Sequence, residues 1–474
     1  MSNKTKQQTK NMKKTLLLAL VLGLASASPI MAADLYITGS TAFRANVFDA
    51  CSKLFDTTPT TNTPATVVFG TSATGGNAPQ SPYDKNYQWT MTGTVSNKVA
   101  NMGQTPLTIH ALFTGSVSGA QTTEASSPLI FLDINGNPVT NAATISFCDV
   151  ATASTPYNTG NTANFLEQKV AVQPFVFCRG NNTATLNTNI LNVSNISSEQ
   201  LVYLLAIGKV PLSSWTGNTN DLTNFVYLIN RTQDSGTRIS ALREVNDIYN
   251  STVTVYNYDF TNALFYQPTN LTPSGSGVGS SIYGVIGPAG NGNANTNWGP
   301  GYVGGGDIAK ELAYVTNNMA VSYLSLSDSE GIVSGNNWSQ VISFNGVWPT
   351  KAGAGIRGET VATGTNDYSP VLYGNYPFWN YEVVIFPQTI GNVSGQNLTS
   401  TQLGDGDDGS TTLGQADTNS ILGVLNYQTK IHGGAPLVGS IENELDLSKT
   451  NLATAIPLVD MHATRTTVGG KITP

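Results

Sequence analysis

Residues 231–238 read RTQDSGTR, so that an arginine lies four residues before a Ser-Gly-Thr turn. A strand-like run, NFVYLIN, precedes this segment and a helix-like run, ISALREVNDIYN, follows it. A guanidinium offers a planar fork of donors that matches an oxyanion, and a helix start adds unpaired backbone N–H groups. The segment therefore indicates an anion-binding site, although a surface arginine beside an ordinary helix cap has the same pattern.

Three other stretches have related features, namely TGSTAF (38–43), TGSVSG (114–119) and FCDV (147–150). The first two are Gly/Ser turns between a short strand and a helical pattern, and the third ends an apolar strand at Asp149. Strands that alternate with helices predict an α/β fold with largely parallel sheets. Ligands of such sheets bind beyond the carboxyl ends of the strands, where we expect these turns to lie.

In this order, the four stretches resemble the periplasmic phosphate-binding proteins of bacterial phosphate ABC transporters (PstS-like). Further matches are IGKVPLSSW (207–215), GGGDIAKELAYVTNNMAVSY (304–323) and YPFWNYEVVIF (376–386). The resemblance runs from residue 35 to about 390. It implies an α/β, two-lobed periplasmic-binding-protein fold of type 2, with a hinge and long inserted loops.

The resemblance also implies which residues bind the ligand. The first turn would offer hydroxyl and backbone N–H groups, Asp149 would accept a proton from the ligand, and Arg231 would supply the charged fork. The first turn is one residue shorter than in the family, which leaves open whether Ser40 or Thr41 reaches the ligand, and Ser118 is an alternative to Ser116. The implied set is Ser40, Thr41, Ala42, Phe43, Ser116, Asp149, Arg231, Ser235, Gly236 and Thr237.

Asp149 carries the sharpest chemical implication. A buried carboxylate beside an anion is repulsive unless the anion carries a proton, as phosphate does near neutral pH and sulfate does not. The same pair of charges in water would interact by only about 1 kcal/mol, so the effect depends on burial. The alternative is an ordinary aspartate at a strand end or turn.

The domain organisation follows from the same resemblance and from shifts in composition. Residues 34–175 form lobe 1, with inserted loops at 56–106 and 125–142, and residues 176–379 form lobe 2. Residues 380–474 return to lobe 1 and add a C-terminal tail. Within these lobes, a Ser cap and a Glu at capping-box distance predict a helix in 196–215, and Asn135-Gly136 predicts a hairpin over 128–141.

The N-terminus and the composition favour export. Lysines precede the apolar segment TLLLALVLGLASA and small residues up to Ala33, which is typical of a signal peptide over 1–33, with an uncleaved membrane anchor as the alternative. Charged residues are only 11% of the chain. Removal of residues 1–33, which hold five lysines and no acid, would take the net charge from −7 to −12. A protein with this net negative charge is not expected to bind nucleic acid, because binding to the phosphate backbone needs a basic surface.

The cysteines and histidines carry no signal for a metal or a cofactor. The three cysteines, Cys51, Cys148 and Cys178, lie in apolar runs, which favours buried thiols and permits at most one internal disulfide. No histidine spacing suits a metal, and no nucleophile arrangement typical of an enzyme stands out. We therefore expect no cofactor, no metal and no catalysis.

The function expected from the sequence is a periplasmic or extracellular solute-binding protein, monomeric, that captures inorganic phosphate for an ABC transporter permease. Three alternatives remain. The first is the scaffold with a changed ligand, such as an organic phosphate or another oxyanion, and the second is a surface or matrix protein with long polar loops. The third is an exported phosphatase, which the missing nucleophile and metal ligands disfavour. Arg44 stands where the family has a small residue or proline. It strengthens the anion site, admits a larger ligand, or pairs with a surface acid.

Overall fold

The computed structural model describes residues 32–55, 66–70, 87–95, 99–103, 105–155, 165–180, 188–231, 235–245, 257–259, 264–266, 304–305, 308–309, 312, 319–329, 339–350, 367–388, 397–404, 419–427, 438, 440–445 and 455–473. The predicted signal peptide falls almost wholly outside them. Within them no helix is long and apolar enough to cross a membrane.

Strands and helices alternate along the described chain, and the α/β class predicted from the sequence is confirmed. The strands are β1 (Ala33–Gly39), β2 (Thr66–Phe69), β3 (Gln88–Thr94), β4 (Pro106–Leu112), β5 (Pro128–Leu132), β6 (Pro138–Ala142), β7 (Ile145–Cys148), β8 (Phe165–Gly180), β9 (Asn195–Ile196), β10 (Lys209–Pro211), β11 (Phe225–Leu228), β12 (Asn257–Asp259), β13 (Leu264–Tyr266), β14 (Met319–Ser325), β15 (Ser339–Phe344), β16 (Trp379–Pro387), β17 (Thr464–Arg465) and β18 (Ile472–Thr473). The α-helices are α1 (Arg44–Lys53), α2 (Ser116–Glu124), α3 (Ser198–Ile207), α4 (Ser213–Thr216), α5 (Gly236–Glu244), α6 (Leu326–Ser329), α7 (Ser369–Leu372), α8 (Ser400–Leu403), α9 (Ile421–Leu425) and α10 (Ile441–Glu444).

One continuous sheet organises the described residues, in the order β10-β11-β14-β8-β16-β7-β1-β4-β3-β2. The long strand β8 belongs to both halves of it. Its first part, Phe165–Pro174, pairs with β16, and its last part, from Phe175 to Arg179, pairs with β14. The sheet is mixed rather than largely parallel, because β8 and β16 run antiparallel to their neighbours, whereas β1 is parallel to both β4 and β7.

A separate hydrophobic core lies against each half of the sheet. The first core contains Ile37, Phe43, Trp89, Ile109 and Phe147. The second contains Phe177, Leu204, Leu228, Tyr323 and Phe378. It also contains Ile456, Met461 and Ala463 from the C-terminal segment. The apolar runs read from the sequence thus divide between two packing units that share β8.

The stretch 56–106, predicted to be an inserted loop, contributes two strands to the main sheet. β2 pairs with β3, and β3 pairs with β4 along its whole length. Trp89 and Met91 of β3 are buried in the first core. Thr90, Thr92 and Gly93 conceal the period of two in β3, whose last three residues are only partly buried.

Two local predictions are confirmed, one of them with a different residue. The hairpin predicted around Asn135-Gly136 is formed by β5 and β6. The helix predicted in 196–215 begins with a capping box on Ser197, but Gln200 closes the box rather than a glutamate. Gly208 ends this helix with a left-handed φ of 77°, a conformation that glycine adopts without strain.

Candidate anion-binding site

Three parallel strands of the first half-sheet end at the same edge, and a turn follows each of them. β1 pairs with β4 on one side and with β7 on the other, so their carboxyl ends lie together. Gly39 ends β1 with a φ of +116°, and a Cβ there would collide with the carbonyl group of Phe147. Glycine is therefore required where the first turn passes over β7.

Asp149 follows β7 and is the acceptor at the centre of this edge. Its side chain is buried, and the Ser40 hydroxyl donates to Oδ1. The Thr237 hydroxyl lies 3.3 Å from Oδ2 and donates to it. Burial raises the pKa of Asp149, and the Ser40 bond and the positive charge of Arg231 oppose that rise.

Arg231 approaches the same place from the second half-sheet. Its guanidinium is 1% exposed. Nη1 donates to Thr237 Oγ1 at 3.4 Å, and Nη2 donates to Thr41 Oγ1 at 3.3 Å. The Thr237 hydroxyl therefore links Arg231 to Asp149. The Arg231 guanidinium itself bonds Thr237 of α5 with one nitrogen and Thr41 of the first turn with the other.

The start of α5 completes the cluster. Ser235 is the N-cap, and its Oγ accepts a hydrogen bond from the Arg238 N–H at 3.3 Å. The next residue, Gly236, approaches the other half of the site so closely that an added Cβ would lie 2.8 Å from Ser116 Oγ. The same added Cβ on Gly236 would lie 2.9 Å from Asp149 Cβ. The positive end of the helix dipole thus points at a cluster of hydroxyl and carboxyl groups.

The two Gly/Ser turns contribute to the cluster through different side chains. Ser40 and Thr41 both reach the cluster, the first through Asp149 and the second through Arg231. Ser116 lies beside Asp149 at the start of α5, and it lowers the pKa of that carboxyl group against the effect of burial. Ser118 instead donates to the Thr114 carbonyl at 2.9 Å, within its own turn.

Seven of the ten predicted residues lie together around Asp149 and Arg231. The side chains of the other three, Ser235, Ala42 and Phe43, do not join this cluster. Ser235 caps α5 with its hydroxyl. Ala42 and Phe43 are buried immediately before α1, and the Phe43 N–H donates to Ser40 Oγ at 3.1 Å. The converging residues are Ser40, Thr41, Ser116, Asp149, Arg231, Gly236 and Thr237. Residues 232–234 of the motif lie outside the described residues.

Arg44 is paired with an acid, although not at the surface. Its Nη2 lies 3.5 Å from Asp328 Oδ1, and both side chains are largely buried. Its Nη1 also donates to the Thr41 carbonyl, and its guanidinium lies 4.8 Å from the centre of the Tyr87 ring. Arg44 therefore braces the first turn against the segment that follows β14.

Sequence reasoning missed Glu382 and Asn230. Glu382 lies in β16 and is fully buried. Asn230 Oδ1 accepts from the Arg231 N–H at 2.8 Å and from the Tyr323 hydroxyl, which holds the strand end that carries Arg231. The sequence does contain a signal for Glu382, because an acidic residue within the apolar run WNYEVVIF indicates a buried carboxyl group. No comparable feature of the sequence marks Asn230.

The three cysteines are buried, and none of them forms a disulfide. Cys148 Sγ donates to the Ser116 carbonyl at 2.7 Å, so the thiol beside Asp149 serves packing and turn geometry. Burial raises the pKa of the Cys148 thiol well above its ordinary value. Within the parts of the chain that the structure describes, no cluster of His, Cys, Asp and Glu is arranged to hold a metal ion.

No family model and no curated protein matches the chain. Solved structures do, and they include proteins of the kind that the motifs resemble. A candidate phosphate ABC transporter substrate-binding protein with bound phosphate, from Clostridium perfringens, is 11% identical over 74% of this chain and 86% of its own, with a TM-score of 0.38. An ABC-type phosphate transport receptor from Vibrio cholerae is 11% identical over 74% and 86%, with a TM-score of 0.33. PstS from Borrelia burgdorferi is 12% identical over 75% and 87%, with a TM-score of 0.30. At these TM-scores the similarities carry no argument about the ligand of this chain.

Proposed function

We propose that the chain is an exported solute-binding protein that captures inorganic phosphate between two lobes and delivers it to an ABC transporter permease. One observation carries this proposal. A buried guanidinium, several hydroxyl groups and a helix start converge on one buried carboxyl group, Asp149. Donors of three kinds suit an oxyanion, and a single acceptor among them suits an anion that still carries a proton.

The acceptor provides the selectivity. Phosphate at neutral pH offers a P–OH group to Asp149 while its other oxygens accept from Arg231 and the hydroxyl groups. Sulfate has no proton to offer, so its charge would face the carboxylate in a site from which water is excluded. That repulsion lowers the affinity for sulfate, because unpaired buried charges are strongly unfavourable.

The two-lobed arrangement provides the means of capture. Ser40, Thr41, Ser116 and Asp149 follow strands of the first half-sheet, whereas Arg231 and Thr237 follow β11 of the second. We take lobe 1 as residues 34–175 and 380–474 and lobe 2 as 176–379, except that Ile456, Met461 and Ala463 pack in the second core. Each lobe then supplies part of the binding set. The ligand would then hold the lobes together, with bending at β8, which both half-sheets share.

Capture and delivery need no bond-making step, so the proposed protein is not an enzyme. The signal-peptide pattern of 1–33 supports export to the periplasm or the cell exterior. The acidic net charge of −7 does not oppose phosphate binding, since local donors decide the potential within a buried site.

Isothermal titration calorimetry of the purified chain with phosphate and with sulfate tests this function. We expect heat from phosphate and none from sulfate. Arg231→Ala should weaken phosphate binding about a hundredfold or more, because charge-assisted hydrogen bonds contribute about 1.5–3 kcal/mol each. Arg231→Lys keeps the charge but loses the fork, and should recover only part of the affinity.

The same titrations separate the alternatives. Heat from an organic phosphate but not from inorganic phosphate would indicate a changed ligand. No heat from any of these anions would favour a surface or matrix protein. Normal phosphate binding by Arg231→Ala would contradict the proposed site.

A further inference from the structure

Glu382 is a second acid at the centre of the molecule, and the binding set above does not use it. It lies in β16 and is fully buried. Val383 pairs with Cys148 in the antiparallel ladder between β16 and β7, so Glu382 lies beside Asp149, the residue after Cys148. Among the described residues, no N–H or O–H donor lies at hydrogen-bond distance from either Glu382 carboxyl oxygen. The polar group that this side chain meets is the carboxyl group of Asp149.

Two neighbouring carboxylates cannot bond each other while both are ionised, because both are then acceptors only. A hydrogen bond between them requires that one carry a proton. Burial, and after it the negative charge of Asp149, raise the pKa of Glu382 well above its usual range. Burial also raises the pKa of Asp149, but the hydrogen bond from Ser40 and the positive charge of Arg231 oppose that rise. The proton therefore belongs on Glu382.

We propose that Glu382 is a positioning residue for anion selection, which donates its carboxyl proton in a hydrogen bond to Asp149 and thereby keeps Asp149 an ionised acceptor. This inference rests on the proposed function, since the anion selected is phosphate. While Asp149 is ionised, it accepts from a P–OH group and repels sulfate. If Asp149 itself took up the proton, it would become a donor and would no longer discriminate against an anion without a proton.

The ionisable groups on the neighbouring strands do not replace Glu382 in this role. On β7, the Cys148 thiol donates to a backbone carbonyl. On β8, the Lys169 ammonium lies 3.7 Å from the centre of the Tyr381 ring and interacts with Glu167. Glu167 Oε2 in turn accepts from the Thr152 N–H at 2.9 Å. The ionisable side chains on these strands are therefore engaged in contacts other than with Asp149.

The helices and the C-terminal segment supply the remaining charges. From the second half-sheet, Arg231 acts on Asp149 directly. Arg238 of α5 lies 3.5 Å from the Arg231 carbonyl and donates to it, and Glu124 lies at the far end of α2 from Ser116. Arg465 reaches Asn380, two positions before Glu382, but pairs with Glu244 at 2.6 Å.

Two variants of Glu382 separate the donor from the packing. Glu382→Gln keeps the shape and an N–H donor that cannot ionise, whereas Glu382→Leu keeps an apolar side chain of similar size and no donor. Calorimetry with phosphate and with sulfate measures the ratio of their affinities. We expect Glu382→Gln to keep the wild-type ratio and Glu382→Leu to lower it about tenfold to a hundredfold, the factor for one hydrogen bond to a charged group.

The pH profile gives a readout that a purely structural role would not change. In Glu382→Leu, discrimination should be weakest at low pH and should recover as the pH rises and Asp149 loses its proton, because burial raises the pKa of Asp149. In wild type, phosphate binding should weaken at high pH, when Glu382 ionises beside Asp149. Glu382→Gln should not lose affinity for phosphate in this way. The two proteins are compared at the same pH, so that the ionisation state of phosphate is the same for both.

Infrared spectroscopy tests the proton without any ligand. The carbonyl band of a protonated carboxyl group should be present in wild type at neutral pH and lost in Glu382→Gln. In Asp149→Asn the band should remain, because the proton belongs to Glu382. This measurement stays decisive if Glu382→Leu does not fold.

The outcomes distinguish the two proposals. Wild-type discrimination in Glu382→Leu at every pH, or an unchanged infrared band in Glu382→Gln, would overturn the role of Glu382 while leaving phosphate capture intact. If wild type binds no phosphate but the infrared band behaves as expected, the proposed function fails and the hydrogen bond from Glu382 to Asp149 stands.

Discussion

Replacing Gly236 by alanine tests how closely the two halves of the site must approach. The added Cβ would lie 2.8 Å from Ser116 Oγ and 2.9 Å from both Ser116 Cβ and Asp149 Cβ. Carbon atoms in contact normally lie about 3.5–4.0 Å apart, so the start of α5 must move back by about 0.6–1 Å. The hydrogen bond from Thr237 to Asp149 spans 3.3 Å. It is already longer than the usual O–H···O distance of about 2.7–2.8 Å, and the shift would break it.

The expected loss is larger for binding than for folding. Losing one hydrogen bond to a charged group, about 1.5–3 kcal/mol, predicts phosphate affinity lower by about tenfold to a hundredfold. Overpacking of a buried contact costs about 1–3 kcal/mol of the free energy of unfolding. Part of that loss is offset because alanine is less flexible than glycine in the unfolded chain, by about 0.4–1 kcal/mol.

Calorimetric titration with phosphate and thermal unfolding measure the two effects on the same protein. Gly346→Ala is the matched control: it has a left-handed φ of +78° and nothing within 4 Å of an added Cβ, so it loses about 1–2 kcal/mol through backbone strain alone. We expect the control to bind phosphate normally at a similar loss of stability. Wild-type affinity in Gly236→Ala would refute the reasoning that this contact closes the site.

Three further predictions concern the protein without ligand. Glu382→Gln should become more stable than wild type as the pH rises. The raised pKa of Glu382 favours the folded state of wild type at low pH, and above the ordinary glutamate pKa this contribution is lost by up to about 1.4 kcal/mol per pH unit. Denaturant unfolding measures the difference, and a difference that does not depend on pH would contradict this prediction. Arg465→Met leaves the buried Glu244 unpaired and should lower the free energy of unfolding by about 3–5 kcal/mol, whereas Arg465→Met combined with Glu244→Leu should recover much of it. A thiol reagent should label no cysteine in the native protein and three after unfolding, and rapid native labelling would disagree with the burial of Cys51, Cys148 and Cys178.

The local chemistry of the site could be predicted from the sequence because it depends on short contiguous motifs. A Gly/Ser turn after a strand and a Ser-Gly-Thr turn before a helix each specify their own geometry. Ser40, Thr41, Asp149, Arg231 and Thr237 were named from the family resemblance that these motifs carry, and the structure brings their side chains together. Their convergence follows from strand order, for which the resemblance, rather than any single motif, was the guide.

What the sequence could not provide depends on contacts between distant segments. Glu382 meets Asp149 only because β16 pairs antiparallel with β7, and the intervening chain gives no sign of that pairing. The pairing of Arg44 with Asp328 joins positions that are even further apart along the chain. The edge strand β2 was taken for loop because it is only partly buried, and β3 beside it because only Trp89–Met91 of that strand are fully buried.

A crystal structure of the protein grown with phosphate tests the central claim most directly. We expect one phosphate between the two half-sheets, with oxygens at hydrogen-bond distance from the Arg231 guanidinium and from the start of α5. One further oxygen, the protonated one, should lie at hydrogen-bond distance from an oxygen of the Asp149 carboxyl group. A phosphate bound elsewhere, or one held by Arg231 but remote from Asp149, would contradict the account.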